Sequence, residues 1–361
     1  MRGIKLIYAS PDTDANLLYW GRMSSSDPFL AFEVNGKRSA IVSELEFEHF
    51  RAHSAFDQVF LLQEFTESQY LIDLIEAITQ RYPGQPLVLP ETFPAKWLLQ
   101  IQEKNIDYVV QSGNFVPERS VKRDDEINEI RDACNTISKA FEQVQSMLAD
   151  ANDVDGKLYL SGDLLTSERV RHEIERICFE NGAIAKNTIV SCGKSSACPH
   201  MQGTGALRSN EFIVVDIFPR KIISGYYGDM TRTFLKGHPS EMQQAMYNAV
   251  LQVHDHAINL VHAGAEASEI HQRNLALFDT MGYTTSDGMG FFHATGHGVG
   301  LNIHESPNIG RSNHELRAGE VVTIEPGLYY PDIGGVRIED VLVVRKDESE
   351  LLSTFPYDWV L

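Results

Sequence analysis

The run Glu211-Phe-Ile-Val-Val-Asp216-Ile-Phe-Pro219 returns in altered form as Glu320-Val-Val-Thr-Ile-Glu325-Pro-Gly-Leu328. Each is a β-branched apolar strand pattern that takes one carboxylate where another apolar residue is due. Each leads into a return strand with a further acid: Gly228-Asp229-Met-Thr-Arg-Thr-Phe234 in the first case, Gly334-Gly-Val-Arg337-Ile-Glu339-Asp-Val-Leu-Val344 in the second. Two helical patterns precede each hairpin. Before the first come a long amphipathic helix from Asp124, with Ile127, Ile130, Ile137, Phe141, Val144 and Leu148 as its apolar stripe, and a helix over Ser167 to Glu180; before the second come Glu241 to Val261 and Ser268 to Met281. The repeated order reads as an internal duplication, two halves packing as one pseudo-symmetric αβ unit.

Asp216, Asp229, Glu325 and Glu339 thus fall at matched positions. A lone acid on an alternating strand commonly faces solvent. A buried carboxylate without a partner is costly, and a bound cation removes that cost. Between the second pair of helices and the second hairpin lies Phe291-Phe-His293-Ala-Thr-Gly-His297-Gly-Val-Gly-Leu-Asn-Ile-His304-Glu-Ser-Pro307. Its glycines let the backbone pass close to a bulky neighbour, and its histidines supply ligands and acids. Four acids and His297 exceed what a tetrahedral zinc takes and suit two divalent ions bridged by carboxylates. Oxygen-rich surroundings point first to manganese, with cobalt, zinc or iron as alternatives. Two such ions deprotonate a water between them and polarise a carbonyl, so the expected chemistry is hydrolysis.

The chain has 361 residues, which predicts two domains, 1–120 and 121–361. The first reads as a smaller α/β domain, with strands at Ile4 to Ala9, Phe29 to Val34, Ser39 to Val42, Gln58 to Leu62, Leu87 to Leu89 and Tyr108 to Val110. Helices are expected at Glu67 to Arg81 and Phe93 to Lys104, and Asn35-Gly36 marks a hairpin. This part has no GxGxxG or Walker loop. A net charge of −19 and a pI near 5.1 argue against nucleic acid or an anionic membrane as partner. The opening MRGIKLIYASPDTD has no long apolar core, and a cytoplasmic location is the expectation. Cys134, Cys178, Cys192 and Cys198 form no CxxC pair, so no disulfide framework is expected and the thiols near His200 read as packing. The remaining histidines, His254 and His256 included, read as surface or packing residues without acidic partners.

The segments PHM, VVDIFP, GDMTRTF, HATGHGVGLNIHE, TIEPGLYY and GGVRIEDVLVV together resemble the M24 metallopeptidase family, which includes Xaa-Pro aminopeptidase, prolidase and methionine aminopeptidase. The resemblance covers about residues 121–361 and implies an α+β pita-bread fold, while the first domain resembles the creatinase-like N-terminal domain of the aminopeptidase P and prolidase branch. It further implies that Asp216 holds one metal ion, that Asp229 and Glu339 bridge both, and that His297 and Glu325 complete the other. Glu325 would also shuttle the proton to the leaving nitrogen; His200, His293 and His304 would hold substrate and steady the tetrahedral intermediate, with Arg337 beside the last glutamate also contacting substrate. A homodimer and a proline-containing peptide substrate follow from the same resemblance. Creatinase-like and histone-chaperone relatives lack the ligand set, and methionine aminopeptidases lack the first domain.

Two features depart from the family pattern. Asp216 and Asp229 stand thirteen apart, two more than usual, with the extra residues in Pro219 to Tyr227. Prolidases commonly place an arginine four residues after the histidine matched by His304, where it can grip a dipeptide carboxylate; here the residue is Asn308. An amide cannot form that charged fork, which points to an aminopeptidase acting on longer peptides, with Xaa-Pro dipeptidase as the alternative.

Overall fold

The computed structural model describes residues 3–361, so the first two residues of the expected N-terminal domain lie outside it. The chain divides into two compact units, Met1–Pro117 and Glu118–Leu361. The first is built on a six-stranded sheet in the order Gln58–Leu61, Lys37–Val42, Phe29–Val34, Ile4–Ala9, Leu87–Pro90, Tyr108–Gln111. Period-two alternation sorts its core: Leu30, Phe32 and Val34 pack with Ile75 and Ile78 of the helix Leu71–Arg81, while Phe29 and Ala31 on the other face pack with Leu17, Trp20 and Phe50. Asn35 and Gly36, at φ of 53 and 76°, make the tight turn between Phe29–Val34 and Lys37–Val42. Two helices escape the sequence reading, Ala15–Gly21 and Glu44–His53. Both are short, and a seven- or ten-residue stretch offers too few turns for its periodicity to stand out.

The second unit carries the duplicated order. Asp124–Ala149 and Ser167–Glu180 pack against a three-stranded sheet of Ile189–Cys192, Ile213–Ile217 and Met230–Phe234, burying Ile137, Phe141, Val144, Val170, Ile174 and Val215 in one core. The helix Ser167–Glu180 is capped by Thr166, whose side chain accepts from Arg169 N. Glu241–Leu260 and Ala267–Thr280 cover a five-stranded sheet ordered Glu305–Ile309, Gly296–Gly298, Val321–Ile324, Asp340–Val344, Ser349–Leu351. A separate ribbon pairs Gly327–Tyr330 with Gly334–Arg337. The halves meet where Thr231 bridges Glu339, its carbonyl accepting from Glu339 N at 3.1 Å.

The expectation of one acid inside each strand needs correcting. Only Asp216 lies within a strand; Asp229 precedes Met230–Phe234, Glu325 follows Val321–Ile324, and Glu339 occupies the break between Gly334–Arg337 and Asp340–Val344. At a strand end the side chain can turn inward without breaking the ladder, so acids from several strands converge on one point. All four cysteines are free. No helix among the described residues is long and apolar enough to cross a membrane.

Candidate metal and peptide site

Asp216, Asp229, His297 and Glu339 are buried at 8, 4, 8 and 2% exposure. Ligand atoms of Asp229, His297 and Glu339 lie within 4.8 Å of one another, and His297 Nε2 is 3.6 Å from Asp229 Oδ2 and 3.5 Å from Glu325 Oε1. His297 reaches this point because the chain squeezes between two neighbours: a Cβ on Gly296 would sit 1.9 Å from the Thr323 carbonyl oxygen, and one on Gly298 2.5 Å from that of Ser306. Its backbone N donates to Thr323 Oγ1 at 3.0 Å, and its Nδ1 faces the Gly298 carbonyl at 3.1 Å. With Nδ1 as the donor, Nε2 is left as a lone-pair ligand. Burial, and then the neighbouring His304, push the ring's pKa down to about 4, so it is neutral at pH 7.

The carboxylates show why a cation fits. Burial first, and then the charge of Glu339, push Asp229 well above the carboxylate range; burial and then Glu325 do the same to Glu339. Glu325 is raised to about 8 by burial. Asp216 Oδ2 accepts from Arg337 Nη2 at 2.6 Å, while its Oδ1 is buried with no hydrogen-bond partner. An orphaned buried oxygen beside crowded acids is the environment a divalent ion relieves. Glu339 Oε2 is steadied from behind by Thr231 Oγ1 at 2.7 Å.

A cavity of about 570 Å³ opens over these groups and is lined by all nine residues singled out from the sequence: Asp216, Asp229, His297, Glu325, Glu339, His200, His293, His304 and Arg337. Its apolar wall includes Ile189, Phe218, Phe292 and Ile303. His304 packs edge-on to His297 at 4.2 Å between ring centroids. His293 Nε2 lies 2.9 Å from the Tyr329 hydroxyl, and burial with the Arg337 charge drives its pKa down to about 3. Arg337 is fully engaged: besides Asp216, it donates from Nη1 to Tyr329 Oη at 3.0 Å and from Nε to Thr231 Oγ1 at 3.3 Å.

Sequence reasoning passed over Tyr329 and Thr231, although both stand in the segments that carried the resemblance; the signal was position, four after Glu325 for one and two after Asp229 for the other. It also misread two residues. Cys198 is exposed on the cavity wall rather than packed. His254 packs in the interior, which one of its two expected readings allowed, but it has the acidic partner it was expected to lack, with Nε2 3.0 Å from Asp340 Oδ2.

A sequence profile described as metallopeptidase family M24 matches residues 128–346. The chain is similar to an uncharacterised peptidase of Staphylococcus aureus, 35% identical over 66% of this chain, the match spanning 63% of that protein's length. It is similar to a Xaa-Pro dipeptidase of Pyrococcus horikoshii, 30% identical over 89% of this chain and 85% of the other. A solved X-Pro aminopeptidase of Thermotoga maritima superposes with a TM-score of 0.83 at 23% identity, covering 100% of this chain and 98% of that one. At that identity the likeness establishes the fold, which is the α+β pita-bread architecture.

Proposed function

The chain belongs to metallopeptidase family M24, and from that premise we propose that it is a metal-dependent hydrolase cutting between an N-terminal residue and a following proline, acting on peptides longer than two residues. The observation that carries the chemistry is the convergence of Asp229, His297 and Glu339 beneath the cavity, with Asp216 and Glu325 beside them. Five donors, four of them carboxylates, suit two divalent ions, manganese before cobalt, zinc or iron. When bound, such ions supply a hydroxide-strength nucleophile at neutral pH and a Lewis acid for the scissile carbonyl.

The protein's own residues do the rest. A bond to proline nitrogen is a tertiary amide without N–H, so expulsion of that nitrogen requires a proton delivered to it. Glu325 lines the cavity with its Oε1 3.5 Å from His297 Nε2, a place from which its carboxyl can take the proton of the attacking water and hand it to the leaving nitrogen. His200, His293 and His304 line the same cavity, where their ring nitrogens can hold the carbonyl oxygen and the peptide. Tyr329 and Arg337 brace His293 and Asp216 respectively.

The preference for longer peptides rests on two residues. Asn308 is exposed and does not line the cavity, and the guanidinium of Arg337 is committed to Asp216, Tyr329 and Thr231. A dipeptide's carboxylate therefore lacks a charged fork that a longer substrate does not need. The competing reading, a Xaa-Pro dipeptidase, draws on the name of the Pyrococcus horikoshii relative. Measuring kcat/KM for one Xaa-Pro-Yaa tripeptide against its Xaa-Pro dipeptide decides between them: the tripeptide is expected to be favoured, and clear preference for the dipeptide would make the chain a dipeptidase.

A further inference from the structure

Glu305 follows His304, yet the two side chains do different things. His304 lines the cavity, whereas Glu305 accepts from Arg119 Nη2 at 2.6 Å and from Lys122 Nζ at 2.7 Å. The side chains of Glu305, Arg119 and Lys122 are 10, 8 and 1% exposed, and none of them lines the cavity. Buried ion groups seldom stabilise more than apolar packing of the same volume, so a different reason for this one has to be sought.

Its surroundings supply the reason. The Glu305 carboxylate also accepts from Asn302 N at 3.3 Å, so it closes the turn from which His304 projects. It fills the space beside Gly300, where a Cβ would sit 2.5 Å from Glu305 Oε1. The cations are anchored elsewhere: Lys122 N donates to Gly319 O at 2.8 Å, and Val121 bridges Glu320 at the start of the strand leading to Glu325. Burial would raise the Glu305 carboxyl, but Lys122 and Arg119 hold it below the ordinary range. One end of this cluster is thus fixed to the sheet and the other grips the His304 turn.

We propose that Arg119, Lys122 and Glu305 form a positioning triad that holds the 302–305 turn and aims His304 into the cavity. Turnover then depends on three residues that do not touch substrate. The proposal rests on the peptidase reading for its kinetic consequence, and its structural half is read independently. In the full, metal-loaded protein, Glu305→Gln is expected to lower kcat by about tenfold or more, the scale of a small misplacement in a reacting site. KM and metal content should stay within about twofold. The imidazole NMR signals of His304, read in protein loaded with diamagnetic zinc because paramagnetic manganese would broaden them away, and identified by their loss in His304→Ala, are expected to move, and those of His254 to stay.

Should Glu305→Gln fail to fold, Lys122→Arg and Arg119→Lys keep the charges while shifting the donor atoms, and the same signals are read. Unmoved His304 signals in every folded variant overturn the positioning triad, as does a kcat loss that only follows metal or folded fraction. His304 signals that move in the variants, when the wild-type protein cleaves no Xaa-Pro peptide, would sink the peptidase reading while supporting the triad.

Discussion

A ligand and a neighbour of a ligand differ in what their removal takes away. Asp229 and Glu339 are both buried beside His297, and on the proposed ligand assignment the charge of each helps to hold an ion. Asp229→Asn and Glu339→Gln are expected to lose bound metal and activity together, read by elemental analysis and peptide hydrolysis. His304 is exposed on the cavity wall. His304→Ala is therefore expected to keep its metal while turnover drops roughly 10²-fold, the scale of losing one transition-state donor; metal loss in that variant would show His304 to be a ligand. The histidine loop was legible because three imidazoles among glycines form an unusual local pattern. The Thr323 contact that makes Gly296 necessary was not, since it joins separate strands.

At the scale of elements, the strand break that presents Glu339 is held from behind by a buried network. Arg232 donates from Nη1 to the Glu339 carbonyl at 2.7 Å and from Nη2 to Asp340 Oδ1 at 2.9 Å, and Asp340 also accepts from Ser353 and Tyr357 at 2.6 and 2.8 Å. The C-terminal segment is thereby pinned to the sheet. Burial would raise the Asp340 carboxyl, but Arg232 and His254 hold it far below the ordinary range. A depressed acid contributes fully above its unfolded pKa, about 3.9, and the contribution is lost as pH falls through the folded value. Asp340→Asn is expected to lower unfolding stability in urea by about 3–5 kcal/mol at pH 7. The gap to wild type should start to narrow only below about pH 4. A gap that grows on acidification would contradict this account. Gly296→Ala, which drives a methyl into the Thr323 carbonyl, should disrupt the strand that carries His297 and abolish metal uptake.

For the whole molecule, each of the two units has its own core, and the candidate ligands all belong to Glu118–Leu361. Ion binding stabilises only the folded form that binds it. Chelation is therefore expected to abolish hydrolysis and to lower the calorimetric transition of the second unit, leaving that of the first in place; manganese or cobalt should restore both. A protein that hydrolyses peptides unchanged in chelator, with no metal found by elemental analysis, would remove the basis of the mechanism.

The sequence by itself determined the duplicated hairpins, the apolar stripe of Asp124–Ala149 and the candidate residues around His297, because strand alternation, helix period and short glycine-histidine patterns are all local. Tertiary structure decided what local order cannot carry. Three of the four acids stand at strand ends rather than within strands, His254 has Asp340 as an acidic partner, and Glu305 meets Arg119 and Lys122 across the fold. Each of these depends on side chains far apart in the chain being brought into one low-dielectric space, where a charge must find a partner. No periodicity records which partner that will be.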